Sequence, residues 1–202
     1  MSAVNRHYVL AAGGTGGHLI PAFALAAELE SRGHHVALIT DERGAAIPGK
    51  PSYLPAHVLP AGRLQGKNPM SWVKGARAIL EGRRMALRLF ESFEPSAVIG
   101  FGGYPAFPAL LAATSAKIPT VIHEQNAVLG RVNRMLARKV DAIATSYAKV
   151  DRLAAKFDRK VTLVGNPVRR EVLDLHAFSC IWGGQPAADT GDRRQSGRAY
   201  TV

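Results

Sequence analysis

Residues 9–22 combine an apolar segment, a glycine-rich turn and the start of a helix. The turn holds four glycines: Gly13, Gly14, Gly16 and Gly17. Because glycine has no Cβ, such a turn reaches positive φ and brings backbone amides close to an anion, while the following helix directs its positive end to the same place. Thr15 adds a hydroxyl, and His18 adds a titratable imidazole. The segment therefore predicts a phosphate-binding turn with a candidate base beside it.

The glycine spacing differs from the fingerprint of dinucleotide-binding proteins. Gly14 and Gly16 supply its first two glycines, but Leu19 stands where the third is expected, and the additional glycine comes early. Asp41 and Glu42 nonetheless follow the second predicted strand, where an acid would bind a ribose hydroxyl. A fragment of a nicotinamide-dependent oxidoreductase is therefore an open alternative at this point.

Apolar runs alternate with helical patterns along most of the chain, which is typical of an α/β protein with a Rossmann-like, doubly wound parallel sheet. Strands are predicted near 8–11, 35–40, 53–59, 97–100, 120–122, 142–144 and 161–164. Helices are predicted over 18–32, 71–92, 106–115, 128–138 and 147–156. The first helix is expected to end at Gly33 and to bury one stripe of residues at helical spacing. These are Leu19, Phe23, Ala26 and Ala27.

The chain carries a net charge of +11, with 26 lysines and arginines against 15 acids. This excess indicates an anionic partner. Much of it lies between residues 63 and 88, and the predicted helix 71–92 is basic and amphipathic. That helix fits either a sheet-covering helix with a solvated face or contact with an anionic membrane surface. Nucleic acid is not expected as a partner, because the basic stretch has no known reading motif.

The apolar segments are too short for a membrane-spanning helix or for the core of a signal peptide, which predicts a soluble chain that is not exported. The single cysteine, Cys180, excludes an internal disulfide framework and fits a reducing compartment. After Asp174 the periodic pattern ends, and 174–202 is predicted to be an irregular, disordered tail. Such an abrupt change is also what a shift of the reading frame would produce.

Two further loops repeat the strand, loop and helix arrangement. Residues 101–105 read Phe-Gly-Gly-Tyr-Pro, and residues 123–126 read His-Glu-Gln-Asn. Because the carboxyl ends of parallel strands lie at one edge, all three loops are expected to line one cleft. Taken alone, Asn126 fits helix capping or ligand contact, and His123 fits a hydrogen-bonded structural histidine better than a catalytic one. No metal-ligand spacing occurs in the sequence, so no bound metal is expected.

The chain closely resembles the MurG family of bacterial glycosyltransferases in four motifs, at residues 13–22, 100–105, 123–130 and 165–169. The resemblance implies an inverting enzyme that uses neither metal nor cofactor. Such an enzyme transfers N-acetylglucosamine from its UDP donor to the 4-hydroxyl of the muramoyl sugar in lipid I, which gives lipid II for peptidoglycan. It implies a peripheral protein on the cytoplasmic face of the cell membrane. The implied fold is that of GT-B glycosyltransferases, in which two Rossmann-like domains face each other across a cleft.

The same resemblance implies roles for individual residues. His18 is the first candidate for the base that takes the acceptor hydroxyl proton, because a helix N-terminus keeps an imidazole neutral. Glu124 is the second candidate, and Tyr104 is expected to orient the substrate. Contacts with UDP-N-acetylglucosamine are implied for Thr15, Gly16, Gly17, Asn126 and Arg169. Backbone amides that hold the diphosphate of the acceptor are implied for Gly14, Gly102 and Gly103.

The resemblance also sets the expected domain boundaries. Residues 1–165 correspond to the N-terminal, acceptor-binding domain, and 166–173 correspond to the start of the interdomain linker. The second domain, which binds most of the nucleotide in the family, is expected to be absent, with the tail 174–202 in its place. Because positioning of the reacting atoms would then be lost, the chain alone is expected to show negligible transfer. A non-catalytic module that binds the acceptor or the membrane surface is the alternative.

Overall fold

The computed structural model describes residues 5–60 and 69–179, and within these ranges seven strands form one parallel sheet. The strands are β1 (His7–Ala12), β2 (His35–Thr40), β3 (Ala56–Val58), β4 (Ala97–Gly102), β5 (Thr120–Glu124), β6 (Ala142–Thr145) and β7 (Val161–Leu163). The helices in the same ranges are α1 (Gly16–Ser31), α2 (Glu42–Ala45), α3 (Pro69–Phe93), α4 (Ala106–Ser115), α5 (Arg131–Leu136) and α6 (Arg170–Ser179), with a 3₁₀ helix at Ala155–Lys160. The predicted α/β class with a Rossmann-like parallel sheet is confirmed.

Alternate residues of β1 pack on opposite faces of the sheet. Val9 and Ala11 belong to a core formed with α3, α4 and α5, whereas Leu10 and Ala12 belong to a core formed with α1. All four residues are fully buried, which is why β1 is a continuous apolar run and not an alternating one. Helices therefore cover both faces, and the connecting loops lie at the two edges of the sheet.

The strand order reverses between β1 and β4 in the interior of the sheet. The order is β3-β2-β1-β4-β5-β6-β7, so the chain runs outward from β1 and then returns to add β4 on the other side. The last residues of the two strands, Ala12 and Gly102, are register partners. Such a reversal leaves a crevice at the carboxyl ends of the strands, where doubly wound proteins bind ligands. The first two glycine loops therefore begin at this crevice.

The helix predicted over 147–156 is wrong. The Leu129 amide donates to the Asp151 carbonyl at 2.9 Å, and the Asp151 amide donates to the Ala127 carbonyl at 2.7 Å. Arg152 follows with a φ of 64°, which an α-helix does not accommodate. Pairing with a distant backbone segment thus prevails over the local helical pattern, and only the 3₁₀ helix follows.

The other differences between the predicted and the observed elements are smaller. Leu19, Phe23 and Ala26 are buried as predicted, but Ala27 is exposed because it lies just outside the stripe that faces the sheet. Helical structure continues through α6 to Ser179, past the boundary predicted at residue 174. The rest of the predicted tail, 180–202, lies outside the described residues. The chain divides into two units after Arg169.

Candidate functional site

The first glycine loop joins β1 to α1 and contains two amides that the helix itself does not use. Thr15 is the N-cap residue of α1, and its carbonyl accepts the His18 amide at 3.1 Å. The amides of Gly16 and Gly17 belong to the first helical turn, where no preceding helical carbonyl is available to them. Gly14 makes the turn with a φ of 83°. The loop therefore has the amides and the helix N-terminus that anion binding requires.

The first two glycine loops are in contact through their backbones. Gly103 has a φ of 79°, and a Cβ built there would lie 2.5 Å from the carbonyl oxygen of Gly13. A Cβ built on Gly13 would in turn collide with the ring of Pro105. Glycine at positions 13 and 103 is therefore needed for packing between the loops, whether or not a ligand is bound.

His18 lies between these two loops, and its surroundings select one tautomer. Its Nδ1 is 3.2 Å from the Gly13 carbonyl oxygen and 3.2 Å from Thr15 Oγ1. Because a carbonyl oxygen can only accept, Nδ1 carries a proton, and the tautomer of the neutral ring that these contacts allow is the one with its lone pair on Nε2. A Cβ built at Gly102 would lie 3.2 Å from this Nε2. The basic nitrogen of His18 is thus held against the second glycine loop.

Asp41 is occupied by groups of the protein. Its Oδ1 accepts the Gly14 amide at 3.3 Å and the Gly44 amide at 2.9 Å, which makes it the N-cap of α2. Its Oδ2 pairs with Nη2 of Arg43 at 3.2 Å. These contacts use three of the four lone pairs of a carboxylate whose side chain is only 14% exposed, so they argue against the nicotinamide interpretation.

Glu124 is buried at the end of β5 and organises the third loop. Its side chain is among the largest fully buried ones, with 1% of the residue exposed. The carboxylate accepts from the Asn126 amide at 3.1 Å, Asn126 Nδ2 at 3.0 Å, the Gly130 amide at 2.9 Å and Asn133 Nδ2 at 2.9 Å. Four donors saturate the two oxygens. Glu124 therefore fixes Asn126 and the start of α5 relative to the sheet.

His123 connects β5 to the segment that follows β7. Nε2 lies 3.0 Å from the Gly165 carbonyl oxygen, and Nδ1 lies 3.0 Å from Gln125 Nε2. Since the amide nitrogen donates and the carbonyl accepts, the ring is neutral with its proton on Nε2. Ser146 Oγ also donates to the Gly165 carbonyl, at 3.3 Å. Burial lowers the pKa of His123 and favours this neutral form.

The lowered pKa of His123 predicts that stability depends on pH in the acid range. Below the ordinary histidine pKa of 6.5, His123 is protonated in the unfolded chain but stays neutral in the folded chain until the pH reaches its lower folded pKa. His123 therefore does not reduce the free energy of unfolding above pH 6.5. As the pH falls from 6.5 to the folded pKa, its titration lowers the free energy of unfolding. Urea unfolding of the wild type and of His123→Gln, measured between about pH 7.5 and about pH 5, should show a shallower decrease in the variant.

The variant is the necessary reference, because burial also lowers the pKa of His57 and adds a decrease of the same sign. Glutamine keeps an amide N–H that can reach the Gly165 carbonyl, so only the titrating group is removed. Parallel profiles for the two proteins would contradict the assignment.

The remaining predicted residues lie at or near this edge. Thr15 and Asn126 are exposed, and Tyr104 is half-buried against the core on the α4 side. Arg169 is exposed in the segment after β7. Asn133 was missed from the sequence, although an asparagine at an apolar position of a helical pattern is a recognisable signal. It is 2% exposed, and a Cβ built at Gly102 would lie 3.8 Å from its Nδ2.

A cleft of about 600 Å³ opens elsewhere, at the amino-terminal edge of the sheet. Its lining includes His7, His34, His35 and Tyr53. None of the glycine-loop groups reaches it, because it lies at the opposite ends of β1 and β2. We therefore place the candidate site at the carboxyl edge, where the amides, Nε2 of His18 and the strand reversal coincide.

Comparison with known proteins decides the family. The model of the glycosyltransferase family 28 N-terminal domain matches residues 8–145, which is more than half of the chain. The chain belongs to glycosyltransferase family 28. Membership in this family contradicts the nicotinamide oxidoreductase alternative.

Two curated relatives share one name, UDP-N-acetylglucosamine–N-acetylmuramyl-(pentapeptide) pyrophosphoryl-undecaprenol N-acetylglucosamine transferase. The relative from Novosphingobium aromaticivorans is 77% identical over 87% of this chain and 45% of its own length. The relative from Zymomonas mobilis is 62% identical over 85% of this chain and 44% of its own length. The chain therefore spans less than half the length of these relatives.

A solved structure agrees with this placement. The crystal structure of Acinetobacter baumannii MurG superposes with a TM-score of 0.65 at 28% identity, over 82% of this chain and 47% of that one. A UDP co-structure of Staphylococcus aureus MnaA gives a TM-score of 0.59 at 13% identity, which shows likeness of fold alone. The described residues therefore correspond to one of the two halves of a GT-B glycosyltransferase.

Proposed function

We propose that this chain supplies the acceptor-binding half of an enzyme that makes lipid II. The reaction transfers N-acetylglucosamine from UDP-N-acetylglucosamine to the 4-hydroxyl of the muramoyl sugar of lipid I. Membership in family 28 and the shared name of the curated relatives support the reaction class. The observation that carries the proposal is the position of His18 Nε2, held against the second glycine loop at the point of strand reversal while Nδ1 faces the Gly13 carbonyl.

In this mechanism His18 is the general base. Its Nε2 takes the proton of the acceptor hydroxyl as that oxygen attacks the anomeric carbon of the donor sugar. The bond from the anomeric carbon to the diphosphate breaks, and UDP leaves with the electron pair. Gly13 and Thr15 hold the ring in the tautomer that can accept this proton. The products are lipid II, UDP and an imidazolium that returns its proton to solvent.

The glycine loops would bind the two anionic groups of the reaction. Thr15, Gly16 and Gly17 contact the sugar nucleotide, and the loops at Gly14, Gly102 and Gly103 hold the acceptor diphosphate. The Gly14 amide already donates to Asp41, so a phosphate there shares that donor or replaces the carboxylate. Asn126 and Arg169, both exposed, complete the contacts with the donor.

Glu124 is ranked after His18 as a base because its oxygens already accept four hydrogen bonds. A carboxylate in that state can take a substrate proton only by giving up a donor of the protein. We assign it the positioning of Asn126, while Tyr104, half-buried beside the second loop, orients the acceptor.

The lipid-linked acceptor requires that the protein reach a membrane surface. In the described ranges no helix is both long enough and apolar enough to cross a membrane. The exposed side of α3 instead combines apolar and basic residues at helical spacing: Val73, Arg77, Leu80 and Arg84. Such a face suits peripheral contact with anionic lipid at the cytoplasmic face of the membrane.

The function is tested by joining residues 1–173 to the C-terminal domain of the Novosphingobium relative and measuring sugar transfer to a short-chain lipid I analogue. We expect the joined enzyme to transfer and His18→Asn to reduce kcat by about 10²- to 10⁴-fold, because the base is removed. Asparagine can keep the hydrogen bond to Gly13, so the loop should stay in place. The chain alone is expected to give no transfer.

His35→Asn is the matched control, since His35 is exposed at the opposite edge of the sheet. Full activity in both variants would reject His18 as the base. A joined enzyme that transfers nothing, together with salt-sensitive binding of the chain to anionic vesicles, would favour the non-catalytic membrane module.

A further inference from the structure

The guanidinium of Arg43 lies beside the first glycine loop. A Cβ built at Gly14 would be 3.6 Å from Arg43 Nη2. The same nitrogen pairs with Asp41 Oδ2 at 3.2 Å, and the Arg43 side chain is 60% exposed. A cation is therefore held next to the loop while much of its surface still faces solvent.

Asp41 sets this position by contacting three different parts of the protein. One oxygen accepts the amides of Gly14 and Gly44, and the other accepts from Arg43. The Asp41 side chain is only 14% exposed, so solvent screens these contacts less than it screens an ordinary surface pair. The loop, the short helix α2 and the guanidinium are thus tied together by one carboxylate.

The chemistry of the guanidinium matches the charge of the proposed substrates. Arginine has five N–H donors in a planar fork that fits phosphate oxygens, and the described contacts of Arg43 use one nitrogen. The Gly16 and Gly17 amides at the start of α1 can take one phosphate, which leaves the next phosphate of a diphosphate for a neighbouring cation.

We propose that Arg43 binds one phosphate of a diphosphate ester seated on the first glycine loop, and that Asp41 is the residue that positions it. This inference rests on the proposed function, which requires two diphosphate esters. One is the isoprenoid diphosphate of the acceptor, and the other is the nucleotide diphosphate of the donor.

The test measures binding of two soluble probes to the 202-residue chain by titration calorimetry at fixed ionic strength. Farnesyl diphosphate represents the acceptor, and UDP-N-acetylglucosamine represents the donor. We expect Arg43→Ala to weaken binding of at least one probe by about tenfold, because a charge-assisted contact with phosphate is lost. Arg43→Lys should fall between the wild type and Arg43→Ala, because lysine keeps the charge without the fork.

Arg32→Ala is the matched control. Arg32 is 61% exposed and pairs with Glu28, as Arg43 is 60% exposed and pairs with Asp41. It follows the opposite end of α1, about 24 Å from the glycine loop along a helix of 16 residues. The two variants lose the same charge from arginines of similar exposure, so a difference between them reports position and not net charge.

The two probes identify which diphosphate is bound. If Arg43→Ala loses affinity only for farnesyl diphosphate, Arg43 contacts the acceptor. If it loses affinity only for UDP-N-acetylglucosamine, Arg43 contacts the donor. Equal affinities in Arg43→Ala and Arg32→Ala, or no saturable binding of either probe by the wild type, would overturn the proposal. Transfer by the joined enzyme is measured in a separate experiment. A result that contradicts the proposed reaction is therefore distinguished from a result that contradicts phosphate binding by Arg43.

Discussion

Replacing Gly103 with alanine is expected to lower the free energy of unfolding by about 3 to 5 kcal/mol. The new Cβ would lie 2.5 Å from the carbonyl oxygen of Gly13 and 3.1 Å from its carbonyl carbon. Both atoms are backbone, so no side chain can rotate to make room. The φ of 79° adds the strain that any L-residue meets in the left-handed region. Urea unfolding of the 202-residue chain measures the difference.

Gly49→Ala separates the two contributions. Gly49 has a similar φ of 87°, but nothing lies within 4 Å of a Cβ built there. This control should therefore lose only about 1 to 2 kcal/mol, the cost of the backbone conformation. If Gly103→Ala loses no more than Gly49→Ala, the first two glycine loops are not packed against each other as described.

Replacing Glu124 with glutamine is expected to lower the free energy of unfolding by about 3 kcal/mol. The change preserves the shape of the side chain but turns one acceptor group into a donor. That NH₂ group then faces N–H donors that the carboxylate now accepts, among them the Gly130 amide and Asn133 Nδ2, both at 2.9 Å. Because the site is buried, water cannot supply the missing acceptor. Urea unfolding again measures the effect.

Glu28→Gln provides the reference for this variant. Glu28 is half-exposed in a surface pair with Arg32, four residues on in the same helix, so its loss should change stability by no more than about 0.5 kcal/mol. The comparison also bears on the mechanism. A residue that serves only as a base can become an amide without loss of stability, so unchanged stability of Glu124→Gln would revive Glu124 as the base.

Much of the fold could be predicted because its signals are local. The strand 35–40 and the helix 106–115 have the predicted boundaries. Strands buried on both faces are continuous apolar runs, and helices show their stripe at a period near 3.6 residues. The helix predicted over 147–156 was wrong because the conformation of this segment is set by hydrogen bonds to residues 127–129. A local sequence pattern does not contain that information.

For the candidate site, the location of the residues could be predicted from the sequence, but their roles could not. The glycine loops and the polar residues after β5 could be placed at one edge, because parallel strands send their carboxyl ends to the same side. The sequence did not show which of these residues contact a ligand and which hold the loops in place. Asp41 and Glu124 were candidates for contact with a ligand, yet each is engaged with amides of its own chain.

The sequence by itself determined the α/β class, the family and the placement of the three loops at the carboxyl edge, since these follow from periodicity, spacing and short motifs. Only the tertiary structure decided which residues of those loops keep an unused group. The Gly13 carbonyl engages Nδ1 of His18 and leaves Nε2 facing the second glycine loop, whereas the carboxylate of Glu124 is saturated by donors from Asn126, Gly130 and Asn133. Hydrogen-bond saturation depends on atoms brought together across the chain, and that is information that spacing alone does not carry.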